Sequence, residues 1–120
     1  MRRTILILNL VMQPQLLLCA EAPARSVKEL KGFYVANCAK CHGADGSARS
    51  PQGKLLPGTD FTDNLNMAKK SDAMMVKTIR KGIFFGVVMH PFKKRITEAE
   101  ALVLVREVLR KAEKGKVIAP

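Results

Sequence analysis

The stretch Cys38-Ala39-Lys40-Cys41-His42 decides how the rest of the chain is interpreted. Two cysteines three positions apart, followed directly by a histidine, form the C-x-x-C-H signature of covalent c-type haem attachment. Each thiol can add across one vinyl group of the same porphyrin, and the imidazole then offers a nitrogen to the iron from the proximal side. The sequence therefore predicts one covalently bound haem c with its iron, tethered by Cys38 and Cys41 and ligated by His42.

Two other chemistries also use a C-x-x-C pair. A thioredoxin-like redox pair is expected beside a βαβ unit, and a structural zinc site needs two further ligands nearby. The chain shows no alternation of strands and helices, and its only other cysteine and histidine are Cys19 and His90. Haem attachment is therefore the interpretation that the sequence favours over a zinc site or a bare dithiol.

Helix signals lie on both sides of the motif. Ser26 and Glu29 form a capping box that predicts a helix running to about Ala39, so the motif lies at the end of this helix. The next segment, 43–63, is rich in glycine and proline and is predicted to be an irregular loop, followed by a short helical turn within 61–70.

Two more segments complete the predicted fold. A helix is expected from Ser71–Asp72 to Lys81, where Gly82 stops it. The apolar run 83–89 has the composition of a small extended segment, but it is interpreted as the loop that lines the second face of the haem. A second capping box, Thr97 with Glu100, begins a final helix that is expected to end at Gly115, before a frayed tail. The prediction is an all-α fold of three to four helices around a covalently bound haem.

Met89 is the predicted distal iron ligand. The proline at position 91 disfavours continuing helix and gives the thioether a rigid approach. A soft thioether opposite His42 favours reduced iron and a relatively high potential. His90 is the alternative ligand, because a small change of register would produce a bis-histidine haem of lower potential.

The first 22 residues have the pattern of a secretory signal peptide. A positive start at residues 1–3 precedes a mostly apolar stretch, and Ala20-Glu21-Ala22 resembles a cleavage site. Cleavage after Ala22 would leave residues 23–120 as one monohaem domain in the periplasm. The alternative is a lipoprotein with diacylglycerol on Cys19, although the leucine before this cysteine is a poor match to a lipobox.

A formal net charge of +11 predicts attraction to acidic partners. Lys40 lies inside the motif and Lys93, Lys94 and Arg95 follow the ligand segment, so positive charge is expected around the exposed haem edge, unless these residues are simply a solvated surface. Acidic redox proteins are the expected partners, and membrane contact is expected only through surface charge or a lipid on Cys19. Nucleic acid is not expected, because no aromatic stacking platform or recognised motif accompanies the basic residues.

Over residues 26–114 the chain resembles the class I c-type cytochromes, small bacterial monohaem electron carriers. Gly43 and Gly46 continue the attachment motif as in bacterial members, Tyr34 stands where the family has an aromatic residue, and Met89-His90-Pro91-Phe92 resembles the family's M-x-P-F variant. The chain departs from the family in two ways. Leu30 stands where many members have glycine, and the last helix lacks the usual aromatic residue, since none lies beyond Phe92.

The resemblance implies a single-electron carrier and not an enzyme, acting as a monomer or within a redox complex. The first alternative is a dedicated haem subunit of a larger dehydrogenase or oxidase. The second is a haem enzyme or sensor with an open iron site, which requires that Met89 does not bind.

Overall fold

The computed structural model describes residues 24–120, and the predicted signal peptide and Cys19 lie outside this range. Five α-helices follow one another: α1 (Val27–Asn37), α2 (Ala39–His42), α3 (Asn64–Ala68), α4 (Asp72–Lys81) and α5 (Glu98–Leu104). A 3₁₀ turn covers Phe84–Gly86, and α5 continues directly as a π-helix over Val105–Leu109. The all-α prediction is confirmed. The described residues form five helices where three to four are predicted, because two segments of about one turn each, α2 and α3, count as separate helices.

Helix α1 begins as the sequence predicts. The Glu29 N–H donates to the Ser26 hydroxyl at 3.2 Å, and the Glu29 carboxylate accepts from the Ser26 N–H at 2.7 Å. This capping box satisfies two amides that have no partner within the helix. Cys38 ends α1 with its N–H bonded to the carbonyl of Tyr34 at 2.8 Å, and α2 follows at once. The attachment motif therefore lies on a helical continuation of α1.

The core lies where α1 meets the last helix. Leu30 and Tyr34 of α1 and Val105 of the π-helix are each 0% exposed. Val105 thus lies in the core against α1, where the resemblance would place an aromatic residue. Leu30 belongs to the same core. Where the family has a glycine on the first helix and an aromatic residue on the last, this chain has the larger Leu30 and the smaller Val105. Among residues 24–120, no helix is long and apolar enough to cross a membrane.

The C-terminal tail is packed, contrary to the expectation that it frays. Regular helix ends at Leu109, before the predicted stop at Gly115, and the chain then turns back towards the loop that follows His42. Ile118 is buried, and its N–H donates to the carbonyl of Ala44 at 2.8 Å. The Gly115 N–H donates to the Asp45 carboxylate at 2.7 Å. These contacts join residues about 70 positions apart, which no local pattern in the sequence reveals.

An ion pair joins the residue before the α1 cap to α5. The Arg25 side chain donates to both carboxylate oxygens of Glu100, at 3.0 and 2.9 Å, and to the carbonyl of Arg95 at 2.7 Å. Its guanidinium also lies 4.8 Å from the centre of the Phe33 ring. Hydrogen bonds from Arg25 hold the pKa of Glu100 at about 2, against a usual value of 4.5. The pair therefore stabilises the α1–α5 contact while Glu100 is ionised.

Replacing Arg25 by alanine should destabilise the protein by about 1–2 kcal/mol at neutral pH, since charge-assisted hydrogen bonds are lost from a partly exposed pair. Because the pKa of Glu100 is lowered on folding, its contribution is fully present above pH 4.5 and is lost as the pH falls towards 2. The difference in melting temperature between wild type and Arg25→Ala should therefore narrow as the pH falls through this interval. Arg49→Ala, which removes an exposed arginine bonded only to a carbonyl, is the control; an equal gap at all pH values would contradict the account.

Candidate haem-binding site

The predicted site residues meet at one cleft of about 320 Å³. Cys38, Cys41 and His42 line it from the end of α1 and from α2, and Met89 and His90 line it from the segment before α5. The remaining lining is mostly apolar and includes Phe61, Met75, Ile79, Phe92 and Leu109. Its volume is at the lower end of the range for small-molecule sites, and it is open to solvent at one side.

A backbone carbonyl orients the imidazole of His42. Nδ1 of His42 lies 3.0 Å from the carbonyl oxygen of Thr59, and because that oxygen only accepts, Nδ1 carries the proton. Nε2 therefore keeps the lone pair that a metal ion needs. Burial lowers the pKa of His42, opposed by the Thr59 hydrogen bond, so the ring is neutral at physiological pH. Phe61 stacks on the imidazole with ring centres 4.5 Å apart.

Gly58 brings the loop into contact with the attachment motif. Its N–H donates to the carbonyl of Cys41 at 2.8 Å. A Cβ at this position would lie 2.4 Å from the same carbonyl oxygen and 2.6 Å from Nδ1 of His42. Only glycine fits there. The sequence marks Gly58 as a loop residue, but Thr59 and Phe61 carry no local signal of their contact with His42.

Met89 is held in place by the loop that ends at it. The Ile83 N–H donates to the Met89 carbonyl at 3.0 Å, and a Cβ on Gly82 would lie 2.4 Å from the same oxygen. The Met89 side chain is half-buried against the core. His90 is exposed and lies edge-on to Phe92 with ring centres 5.2 Å apart. Both residues predicted as alternative ligands thus reach the cleft, with Met89 the more buried.

The segment 83–89 is a loop, as predicted, and not the small extended segment that its residue types would allow. Ile83 and Met89 form a single antiparallel bridge, and the residues between them turn back through the 3₁₀ segment. Gly82 and Gly86 adopt positive φ angles of 71° and 89°, which allow this tight reversal. The two ends of the segment line the cleft, as expected, while its middle lies outside the lining.

Comparison with known proteins agrees with this geometry. The family described as cytochrome C oxidase, cbb3-type, subunit III matches residues 25–106. The chain is a member of this family of class I c-type cytochromes. No curated protein matches it.

Two solved structures resemble the cytochrome. The KustC0563 c-type cytochrome is 30% identical, with a TM-score of 0.54, and the match covers 70% of this chain and 96% of the other. A tyrosine-to-phenylalanine mutant of Kustc0563 is also 30% identical, with a TM-score of 0.56 and coverage of 70% and 98%.

The donor set of the cleft fits the covalently bound haem c and iron of a c-type cytochrome. Cys38 and Cys41 are free thiols, and the imidazole and thioether needed for two axial ligands lie at the same cleft. Burial, with a smaller effect of Cys41, raises the pKa of Cys38 to about 12. An attacking thiol of a thioredoxin-like pair has a lowered pKa instead. Within residues 24–120, no group of three or more potential ligands from His, Cys, Asp and Glu is placed to hold a metal ion.

Among residues 24–120, Lys70 is the only lysine or arginine that lines the cleft. The sequence leaves open whether Arg49 or Lys54 reaches a haem propionate. Neither lines the cleft, and Arg49 instead donates to the carbonyl of Gly53 at 3.2 Å. Lys70 is therefore better placed than either to neutralise a carboxylate at the cleft.

Gly58→Ala should disrupt the site, because its Cβ would overlap backbone that cannot move without displacing His42. The expected result is a loss of about 1–3 kcal/mol in unfolding free energy and a lower yield of haem-loaded protein. Gly32→Ala is the matched control, since its Cβ would meet only Pro120 at 3.7 Å in a helix that favours alanine. Haem content and thermal unfolding report both effects, and an unchanged Gly58→Ala protein would show that the close approach is unimportant.

Proposed function

We propose that this cytochrome is an exported, periplasmic monohaem protein that carries single electrons between redox protein partners. In this proposal Cys38 and Cys41 hold haem c through thioethers, His42 is the proximal ligand and Met89 is the distal ligand. The observation that carries it is that all four side chains line one cleft. Electron transfer is the activity of the family, and the residue roles, the location and the partners are the proposed part.

Haem c supplies a one-electron couple at its iron. The chain contributes by keeping both ligands in place, because a carrier works best when ligation does not change with oxidation state. Thr59 fixes the ring of His42 through a hydrogen bond, and Ile83 fixes the backbone of Met89 through another. The mostly apolar lining and a thioether ligand both favour the reduced state.

Met89→Ala should abolish the weak near-infrared sulfur-to-iron band of the ferric protein and open the iron to carbon monoxide. Met89→His should keep a low-spin haem with a potential lower by on the order of 0.1 V, within the range of about 0.8 V that axial ligands set. His90→Ala is the control and should retain the band. Absence of the band from the wild type would support His90 or an open site instead, and persistence of the band in Met89→Ala would contradict ligation by Met89.

The charge of the surface supports acidic partners. Lys40, Lys93 and Lys94 are exposed, and no ion pair within residues 24–120 involves them. Lys40 lies within the attachment motif, and the other two follow the Met89 segment by four and five residues. Complementary charge raises encounter rates with an acidic protein, and dissolved salt weakens this attraction.

Electron transfer from an acidic flavodoxin should slow by about tenfold or more as ionic strength rises from about 0.01 M to about 0.5 M. Lys93→Gln with Lys94→Gln should reduce this dependence on salt, whereas Lys114→Gln, an exposed lysine outside the cleft lining, should change it little. Stopped-flow absorbance of the haem measures the rate. A rate that does not respond to salt would remove the role proposed for these charges.

Export remains a proposal that rests on residues 1–22 and on the attachment of c-type haem outside the bacterial cytoplasm. Determining the N-terminus of the exported protein would distinguish cleavage after Ala22 from processing at Cys19 with lipid attached. An unprocessed N-terminus would contradict both.

A second candidate is a dedicated haem subunit, which the description of the matching family as an oxidase subunit favours. Native electrophoresis of gently solubilised membranes, followed by haem staining, separates the two possibilities. A free carrier migrates as a small species, and a subunit migrates with a large complex.

A further inference from the structure

The loop between Ile83 and Met89 exposes three apolar side chains that have no role in the haem site. Phe84, Phe85 and Val87 are 72, 106 and 87% exposed. Phe85 is thus fully exposed. These three residues are called the apolar tip below.

The apolar tip lies outside the lining of the cleft. Ile83 and Val88 line the cleft, but Phe84, Phe85 and Val87 do not. The stem of the loop thus belongs to the cleft, and the tip does not. Exposed apolar residues that cluster, unlike scattered single ones, indicate a surface that contacts something else.

The backbone supports a role for these side chains outside the molecule. Phe84 and Phe85 both adopt positive φ angles, 50° and 54°, a conformation that is unfavourable for bulky residues and free of penalty for glycine. The rings gain little packing within the chain in return, because both are exposed. Such strain is usually maintained where the resulting geometry serves a function.

Lysines surround the base of the loop. The Phe92 N–H donates to the Ile79 carbonyl, and the Lys93 N–H donates to the Arg80 carbonyl, both at 3.0 Å, so the two ends of the loop run side by side. Lys81, Lys93 and Lys94, called the lysine group, are therefore neighbours at this base. All three are exposed, and none forms an ion pair within the described part of the chain.

We propose that this loop docks the cytochrome on an anionic lipid bilayer, with the apolar tip inserted at the boundary of headgroups and acyl chains. The lysine group would then bind headgroup phosphates. A lipid surface fits better than a protein because the tip carries only apolar side chains beside exposed lysines. Protein interfaces carry about one hydrogen bond per 100–200 Å², and these apolar side chains offer none. The inference goes beyond the proposed function and does not depend on which residue ligates iron.

Sedimentation with vesicles tests the proposal on haem-loaded protein that mass spectrometry shows to be free of lipid. Wild type should bind vesicles of about three parts phosphatidylcholine to one part phosphatidylglycerol. Phe84→Ser with Phe85→Ser should weaken binding by about tenfold or more. Replacing all three members of the lysine group by glutamine should remove the preference for phosphatidylglycerol over pure phosphatidylcholine.

Leu65→Ser with Val117→Ser is the matched control, since these side chains are 80 and 65% exposed and lie outside the loop; it should bind as wild type does. An unchanged haem spectrum in every variant shows that folding and the haem site are intact. The proposal fails if wild type does not bind vesicles, or if the phenylalanine variant binds as tightly as wild type. If wild type does not bind vesicles and the phenylalanine variant loses electron transfer with the acidic flavodoxin, the loop docks a protein partner instead.

Discussion

The hydrogen bond between the His42 imidazole and the Thr59 carbonyl determines how the site is assembled. It leaves the lone pair of Nε2 available, and it exists because the loop after the motif folds back against α2. That return requires the bare backbone of Gly58, whose N–H also pairs with the Cys41 carbonyl. A loop without regular structure is thus held by specific bonds, since buried backbone groups need partners.

The loop has further support from distant parts of the chain. Tyr34 of α1 is fully buried and donates from its hydroxyl to the Gly43 carbonyl at 2.7 Å. The C-terminal tail bonds to Ala44 and Asp45 from the other side. Helix α1 and the C-terminal tail therefore do more than complete the core, because both hold the loop that orients His42. The opposite wall depends on α4 and on the turn that presents Met89.

The sequence predicts well what local chemistry determines. Capping boxes at Ser26 and Thr97 and the stop at Gly82 mark helix ends because the side chain or backbone freedom involved acts within four residues. The attachment motif is likewise identified from sequence because Cys38, Cys41 and His42 lie within five consecutive residues. The contact of Thr59 with His42, 17 positions apart, and of Ile118 with Ala44 depends on tertiary folding and leaves no such pattern. The run 83–89 has strand-like composition, but the glycines at 82 and 86 reverse the chain, so a loop forms instead of an extended segment.

The central claim is that the C-x-x-C-H segment carries one covalent haem at a cleft shared with Met89. Mass spectrometry of the exported protein, intact and after proteolysis, tests it most directly. The account predicts an increase equal to one haem, located on a peptide that contains Cys38 and Cys41 and retained after acid extraction. A protein without added mass, or one that releases its haem on acid extraction, would contradict the account.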